Sequence, residues 1–367
     1  MKILMVSTIS NTINTFMTPH IRMLIENGNS VDVAFKIEQD VNPELIEMGC
    51  KIYEIPFSRR ISENNFLKLI KDLKKIVKDE GYDVVHTHTP IASAIVRIAC
   101  KSLPSTKVYY TAHGFHFYKG APLINWLTYY PIEKQLSKYT EKLITINKED
   151  YAIANKFHAK ENIYIPGVGI NLKKFNKDDN VNIDYLNDQF KLTKETLRLI
   201  SIGELNSNKN HAVVLRAIAK INNPNIHYFI AGRGDKEKFL LNLASELEIS
   251  QQVHLLGFRT DIRNLLEYSD IFIFPSYREG LSVSLMEAMT AGLPIIASRI
   301  RGNVDLVDEN KGGYLFDPNN LDELVLALST MIRQNERKEL FGEYNMMKIK
   351  KFSIESVLPQ ILEIYKK

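Results

Sequence analysis

At 367 residues, with 45% hydrophobic and 25% charged side chains, the chain has an ordinary globular composition and is long enough for two cores. A net charge of +4 is too weak for a nucleic-acid protein, and no apolar run approaches the roughly 18 residues of a membrane span. Cys50 and Cys100 lack metal or disulfide spacing, and the apolar run after Met1-Lys2 is too short for a signal peptide, so the expected location is the cytoplasm.

Strand-like apolar runs alternate with helical periodicity, which argues α/β with parallel sheets. In the first half strands are expected at residues 2–7, 31–35, 51–55, 84–87, 108–112, 142–146 and 163–165. Helices are expected between them at 15–26, 65–78, 91–100, 123–138 and 148–157. A polar stretch without period at 171–194 reads as a linker. A second series then begins, with strands at 198–203, 227–231, 253–256, 271–274, 295–297 and 313–316. Two doubly wound domains are therefore expected, 1–170 and 195–352, meeting across a cleft at the strand C-terminal ends.

The first strand runs into Ser7-Thr8-Ile9-Ser10-Asn11-Thr12-Ile13-Asn14-Thr15. No Gly-x-Gly-x-x-Gly is present, which counts against a dehydrogenase. The polar loop suits a sugar or phosphate contact from Asn11 or Thr12; the plainer reading is helix capping by Asn14 or Thr15. Arg59-Arg60 on a loop would suit a diphosphate. The helix at 65–78 turns Phe66, Leu69, Ile70, Leu73, Ile76 and Val77 to one side and Lys68, Lys71, Lys74, Lys75 and Lys78 largely elsewhere. That is the pattern of a core-packed helix with a solvated face, and also of one lying on anionic lipid. The first 170 residues carry 21 basic against 17 acidic side chains, so any membrane-facing surface belongs there. Aromatic-rich 122–130 reads as core packing or a lipid contact.

His86 and His88 close a strand, two apart, but no third ligand lies nearby in sequence and metal is not expected. His113 follows a buried strand and precedes Gly114. A neutral imidazole there can orient a sugar hydroxyl; packing is the alternative. In the second half Lys209 stands near a helix N-terminus, and Gly232-Arg233-Gly234 and Gly257-Phe258-Arg259 turn at strand ends, the latter before a helix expected to be capped by Asp261. The most informative stretch is Pro275 to Pro294. It carries Glu279-Gly280-Leu281-Ser282 into a helix that bears Glu287. Free N–H groups of a helix start suit phosphate, and carboxylates suit sugar hydroxyls because they only accept hydrogen bonds. A nucleotide sugar satisfies both.

Glu279 and Glu287 separated by seven residues, with His113-Gly114, Lys209 and the Gly232/Gly234 turn in that order, resemble the retaining family 4 glycosyltransferases of the GT-B fold. The resemblance covers essentially the whole chain and looks most like the bacterial capsule and exopolysaccharide branch. It implies two Rossmann-like domains, with a last helix at 353–367 returning to the first, acceptor-binding domain, and a donor domain at 195–352. It further implies that Glu279 contacts the donor sugar, Glu287 the ribose, and Gly280, Leu281 and Ser282 the diphosphate. Lys209 would neutralise the leaving group, Phe258 and Arg259 flank the uracil, Gly232 line the site, and His113 hold a donor hydroxyl. The implied reaction moves a hexose or N-acetylhexosamine from a UDP-sugar to a polyprenyl-diphosphate-linked saccharide, without metal or other cofactor, possible membrane contact and no nucleic acid included. Glu204 stands where many relatives carry an arginine, so a second cation for the diphosphate is missing or comes from elsewhere. A UDP-sugar epimerase on a related fold and a non-catalytic sugar- or partner-binding subunit are the alternatives; an exported solute-binding protein is disfavoured.

Overall fold

The computed structural model describes residues 1–58, 60–175, 185–334 and 336–366. The chain divides into two compact units, Met1–Gly169 with Ile354–Lys367, and Ile170–Ser353.

The first unit is built on seven strands: β1 (Lys2–Ile9), β2 (Ser30–Lys36), β3 (Ile52–Glu54), β4 (Val84–Thr87), β5 (Lys107–Ala112), β6 (Lys142–Thr145) and β7 (Glu161–Tyr164). They lie in the order β3-β2-β1-β4-β5-β6-β7, all parallel. Helices cover both faces of such a sheet, so its central strands are apolar without alternation; Ile3, Leu4, Met5 and Val6 of β1 are all buried. The helix Phe66–Glu80 starts at Asn65, whose side chain accepts from Lys68 N–H, and stops at Gly81 in the left-handed region. Its Leu69, Leu73 and Val77 pack inward while Lys68, Lys71, Lys74, Lys75 and Lys78 are exposed. The last helix, Ile354–Tyr365, belongs to this unit: Tyr365 hydroxyl meets His86 Nδ1, and Lys142 Nζ donates to Ile364 O at 2.7 Å.

The second unit holds β8 (Leu197–Ile202), β9 (Ile226–Ala231), β10 (Val253–Gly257), β11 (Ile271–Phe274), β12 (Ile295–Ser298) and β13 (Gly313–Phe316). Their order, β10-β9-β8-β11-β12-β13, repeats that of the first six strands. In each sheet the winding reverses once, between β1 and β4 and between β8 and β11. Loops leaving those two strands part to opposite faces and open a crevice at the strand C-terminal ends.

Three local expectations are corrected. The polar stretch after β1 is no loop: the strand continues to Ile9 and a helix starts at Ser10. Asn14 and Thr15 do not cap it, since Asn14 bonds Asp40 O and Asn42 N–H while Thr15 donates to Asn11 Oδ1. Asp261 occupies the N-cap position of the helix Ile262–Tyr268 without capping it; its carboxylate is held instead by Arg259 Nε at 2.7 Å. The expected linker groups with the second unit. Its helix Tyr185–Phe190 buries Leu186 and sets Phe190 on Phe229 and His254, so two apolar side chains in a polar run anchor one helical turn and a half. Residues 176–184 of that stretch lie outside the described residues.

Candidate active site

The switch point of the second unit is charged. Lys209, on the loop after β8, and Glu279, on the loop after β11, form an ion pair with Nζ–Oε1 at 2.8 Å. Both side chains are mostly buried, and the ammonium also lies over the Phe274 ring, 4.7 Å from its centre. The two loops are tied by backbone as well: Tyr277 N–H donates to Asn208 O at 2.8 Å, and Asn208 Nδ2 to Arg278 O at 3.0 Å. Lys209 is further fixed by its own N–H on Asn206 Oδ1. Past the pair, Ser282 caps the helix Val283–Thr290 through Leu285 N–H. Among the described residues the N–H groups of Gly280, Leu281 and Ser282 have no protein acceptor. Glu287, half-buried, sits one turn further along that helix. A cation, free N–H donors and two carboxylates thus stand on neighbouring loops.

Other expected contacts of this unit fare differently. Phe258 is 68% exposed, a bare ring beside Gly257, whose φ of +68° makes the turn. Arg259 is held by Asp261 and by Tyr185 hydroxyl at 2.6 Å. Gly232 is explained by packing: a Cβ there would stand 1.8 Å from Gly203 O, and its N–H already donates to Gly257 O at 2.8 Å. Its amide is therefore not a ligand donor. Glu204 is exposed and accepts from Asn206 Nδ2.

The switch point of the first unit is neutral. Thr8, at the end of β1, and Thr89, after β4, share a hydrogen bond of 2.6 Å between hydroxyls, and Thr8 N–H also donates to Thr89 Oγ1 at 2.9 Å. They line a cavity of about 860 Å³ with Ile9, Thr12, Arg60, Pro90, Ile91, His116 and Tyr129. His116 stacks on Tyr129 with ring centres 4.8 Å apart. Thr12 therefore lines this cavity, whereas Asn11 is turned to Thr15. Arg60 reaches the cavity and pairs with Glu63 at 3.1 Å; Arg59 lies outside the described residues.

In the same unit four histidines gather. His86 bonds Thr111 Oγ1 through Nε2, His20 Nε2 meets Val168 O, and His88 Nδ1 lies 3.3 Å from His113 Nε2. Burial pushes His20 and His113 down to about 4 and His86 to about 3, so all are neutral at pH 7. His88 Nε2 is buried without a partner. An orphaned lone pair costs less than an orphaned N–H. That favours the tautomer in which His88 Nδ1–H donates to His113 Nε2, leaving His113 its proton on Nδ1 as a hydrogen-bond donor. Among the described residues no group of three His, Cys, Asp or Glu is arranged to hold a metal ion.

The helix Leu123–Leu136 flanks this region. Trp126, Tyr129 and Tyr130 pack toward Phe117 and Phe157, while Leu123, Ile124 and Leu127 are 80, 61 and 75% exposed. The sequence reading treated the stretch as one surface, and the fold splits it by side.

Family models for "Glycosyl transferase 4-like" and "Glycosyl transferases group 1" match residues 2–147 and 184–346, one in each unit. The "Putative glycosyltransferase EpsD" of Bacillus subtilis (strain 168) is 31% identical over 99% of this chain and 96% of that one. The Escherichia coli UDP-Gal:alpha-D-GlcNAc-diphosphoundecaprenol alpha-1,3-galactosyltransferase is 31% identical over 77% of this chain and 78% of its own. The chain belongs to the family 4 glycosyltransferases. The crystal structure of Anabaena Alr3699/HepE with UDP superposes with a TM-score of 0.81 over 99% of both chains at 18% identity, which places this glycosyltransferase in the GT-B fold. The residues that sequence reasoning missed in it are Thr8, Thr89, Asn208, the His116–Tyr129 pair and Arg301. Apart from Tyr129, which is on the helix Leu123–Leu136, they lie at strand ends or on the loops that follow, and the strand order decides which of them meet.

Proposed function

We propose that this glycosyltransferase moves a hexose or N-acetylhexosamine from a UDP-sugar, with retained configuration, to a polyprenyl-diphosphate-linked saccharide in bacterial surface-polysaccharide synthesis. The Lys209–Glu279 pair beside the free N–H groups of Gly280 and Leu281 carries the reading: a diphosphate takes the ammonium and the amides, and releases Glu279 to accept from a sugar hydroxyl. The bond between the sugar's anomeric carbon and the diphosphate breaks while the acceptor oxygen bonds that carbon from the same face. The acceptor's proton passes to the departing phosphate oxygen. Lys209 and the helix-start N–H groups meet the charge that grows on the diphosphate, with no metal required. In the first unit His113 offers Nδ1–H to a sugar hydroxyl, and in the second Phe258 with Arg259 receives the uracil.

The acceptor is assigned to the cavity at Thr8, Thr89, His116 and Tyr129, whose hydroxyls and stacked rings suit a saccharide. Leu123, Ile124 and Leu127 beside it, with the exposed lysines of Phe66–Glu80, suit the lipid and an anionic cytoplasmic membrane face. Among the described residues no helix is long and apolar enough to cross a membrane. In support, the Escherichia coli relative is named for a UDP-sugar donor and a diphosphoundecaprenol acceptor, and the Anabaena structure contains UDP. The test is a panel of UDP-sugars with GlcNAc-diphosphoundecaprenol and total lipid-linked saccharide, reading products by mass. A single sugar added to the lipid acceptor is expected. Transfer from no UDP-sugar would overturn the proposal, and an isomerised donor formed without acceptor would identify an epimerase.

A further inference from the structure

We propose that Arg301 is the second cation of the diphosphate site, acting as a positioning residue through the Glu279–Gly280 peptide rather than by touching the ligand. The inference rests on the reading of that turn as the donor's diphosphate site. Arg301 follows β12 and is only 5% exposed. Its Nε–H donates to Glu279 O at 3.1 Å. A trans peptide unit is planar, with C=O and N–H pointing opposite ways. Holding Glu279 C=O therefore directs Gly280 N–H away from Arg301.

The next peptide is fixed from the same side. Gly302 has φ +81°, and a Cβ on it would lie 1.9 Å from Gly280 O but 2.8 Å from Gly280 C. Gly280 C=O thus aims at Gly302, and Leu281 N–H points away from it. Two successive carbonyls face the loop after β12, and two successive N–H groups face the other way. In the sheet β11 lies between β8 and β12, so the side opposite Arg301 is the side of the β8 loop, which bears Lys209. The arrangement is a concave pair of amides beside an ammonium ion, the geometry that binds an anion. A guanidinium on the far end of a peptide also polarises its N–H, making it a stronger donor. Burial keeps that charge from screening by solvent. Glu204, where a direct cation was expected, is exposed and engaged by Asn206, so a cation working from behind the turn supplies what that position lacks.

The test compares UDP with uridine, which keeps the base and ribose but has no phosphate, in the wild type and in Arg301→Met, Arg301→Gln and Arg301→Lys. Affinity is measured by calorimetry for UDP and by ligand-observed NMR for uridine, with folding checked by circular dichroism. Arg301→Met is expected to weaken UDP about tenfold or more and to leave uridine within about twofold. Arg301→Gln, which keeps an N–H donor without the charge, should fall between it and the wild type, and Arg301→Lys should recover part of the loss. The amide protons of Gly280 and Leu281 should move downfield on adding UDP in the wild type and less in Arg301→Gln, a readout that serves even if Arg301→Met does not fold. Equal weakening of UDP and uridine, or unchanged UDP affinity in folded variants, overturns the role of Arg301 alone. A wild type that does not bind UDP removes the donor reading itself, and this inference with it.

Discussion

The two switch points share one topology and differ in chemistry. At the first, Thr8 near the end of β1 meets Thr89 just past β4, hydroxyl against hydroxyl, in the unit whose buried histidines are kept neutral. At the second, the loops after β8 and β11 bring Lys209 to Glu279, cation against carboxylate. The reversal of strand order decides where a crevice opens, and the side chains at its lip decide what enters. Threonines, neutral rings and an apolar cavity suit a saccharide and its lipid. An ammonium ion with unpaired N–H groups suits a diphosphate.

Lys209→Ala is the strongest way to break this contrast. It removes the cation and leaves Glu279 unpaired, and turnover should fall by about 10²–10³-fold, the usual loss on deleting one group that meets developing charge. Steady-state kinetics that find it within about twofold of wild type would end the charged-site assignment.

His113→Ala probes the neutral side. Turnover should fall by between about 10- and 100-fold, the consequence of one lost buried hydrogen bond, with UDP affinity nearly unchanged. An equal loss in UDP binding by calorimetry would merge the two sites.

The neutral histidines also predict an acid sensitivity. Their folded values, about 3 for His86 and about 4 for His20 and His113, lie below the ordinary 6.5, so between these limits the unfolded chain binds more protons. The stability that depends on their neutrality is complete above pH 6.5 and is lost as pH falls toward 4. His86→Gln should flatten the slope of unfolding free energy between pH 6 and 4 by up to about 1.4 kcal/mol per pH unit. An unchanged slope in denaturant titrations would show that His86 does not take part.

Glu287→Gln sharpens the charged side with the smallest effect. The amide still accepts a hydrogen bond but without charge, and UDP affinity should weaken by about fivefold, with uridine weakened equally. Weakening confined to UDP would move Glu287 from the ribose to the phosphates.

Much of this was legible in the chain itself. Short continuous apolar runs such as Ile3–Val6 and Ile271–Phe274, alternating with helical periodicity, suit strands covered on both faces, so both sheets were foreseen. Glu279-Gly280-Leu281 before Ser282 marked a helix start with free amides, because the Ser282 cap follows from local geometry. The stretch after β1 misled because a run of Ser, Thr and Asn favours loops, yet Ile9, Ile13 and Met17 in its midst are buried deeply enough to hold it in strand and helix. Gly232 has a further reason to be glycine, a neighbouring backbone that leaves no room for a side chain, which no local pattern announces.

Residue types and their spacing by themselves determined the elements, the alternation that makes parallel sheets, and the motif of the donor half. These depend on interactions between residues near in sequence, or on periodic burial that any core would satisfy. Only tertiary structure decided that Lys209 and Glu279 meet, that Arg301 stands behind the turn they flank, and that His86, His88 and His113 share one buried space. Those pairings depend on which strands lie side by side, and strand order is set by how whole helices pack on a sheet rather than by any local run of residues.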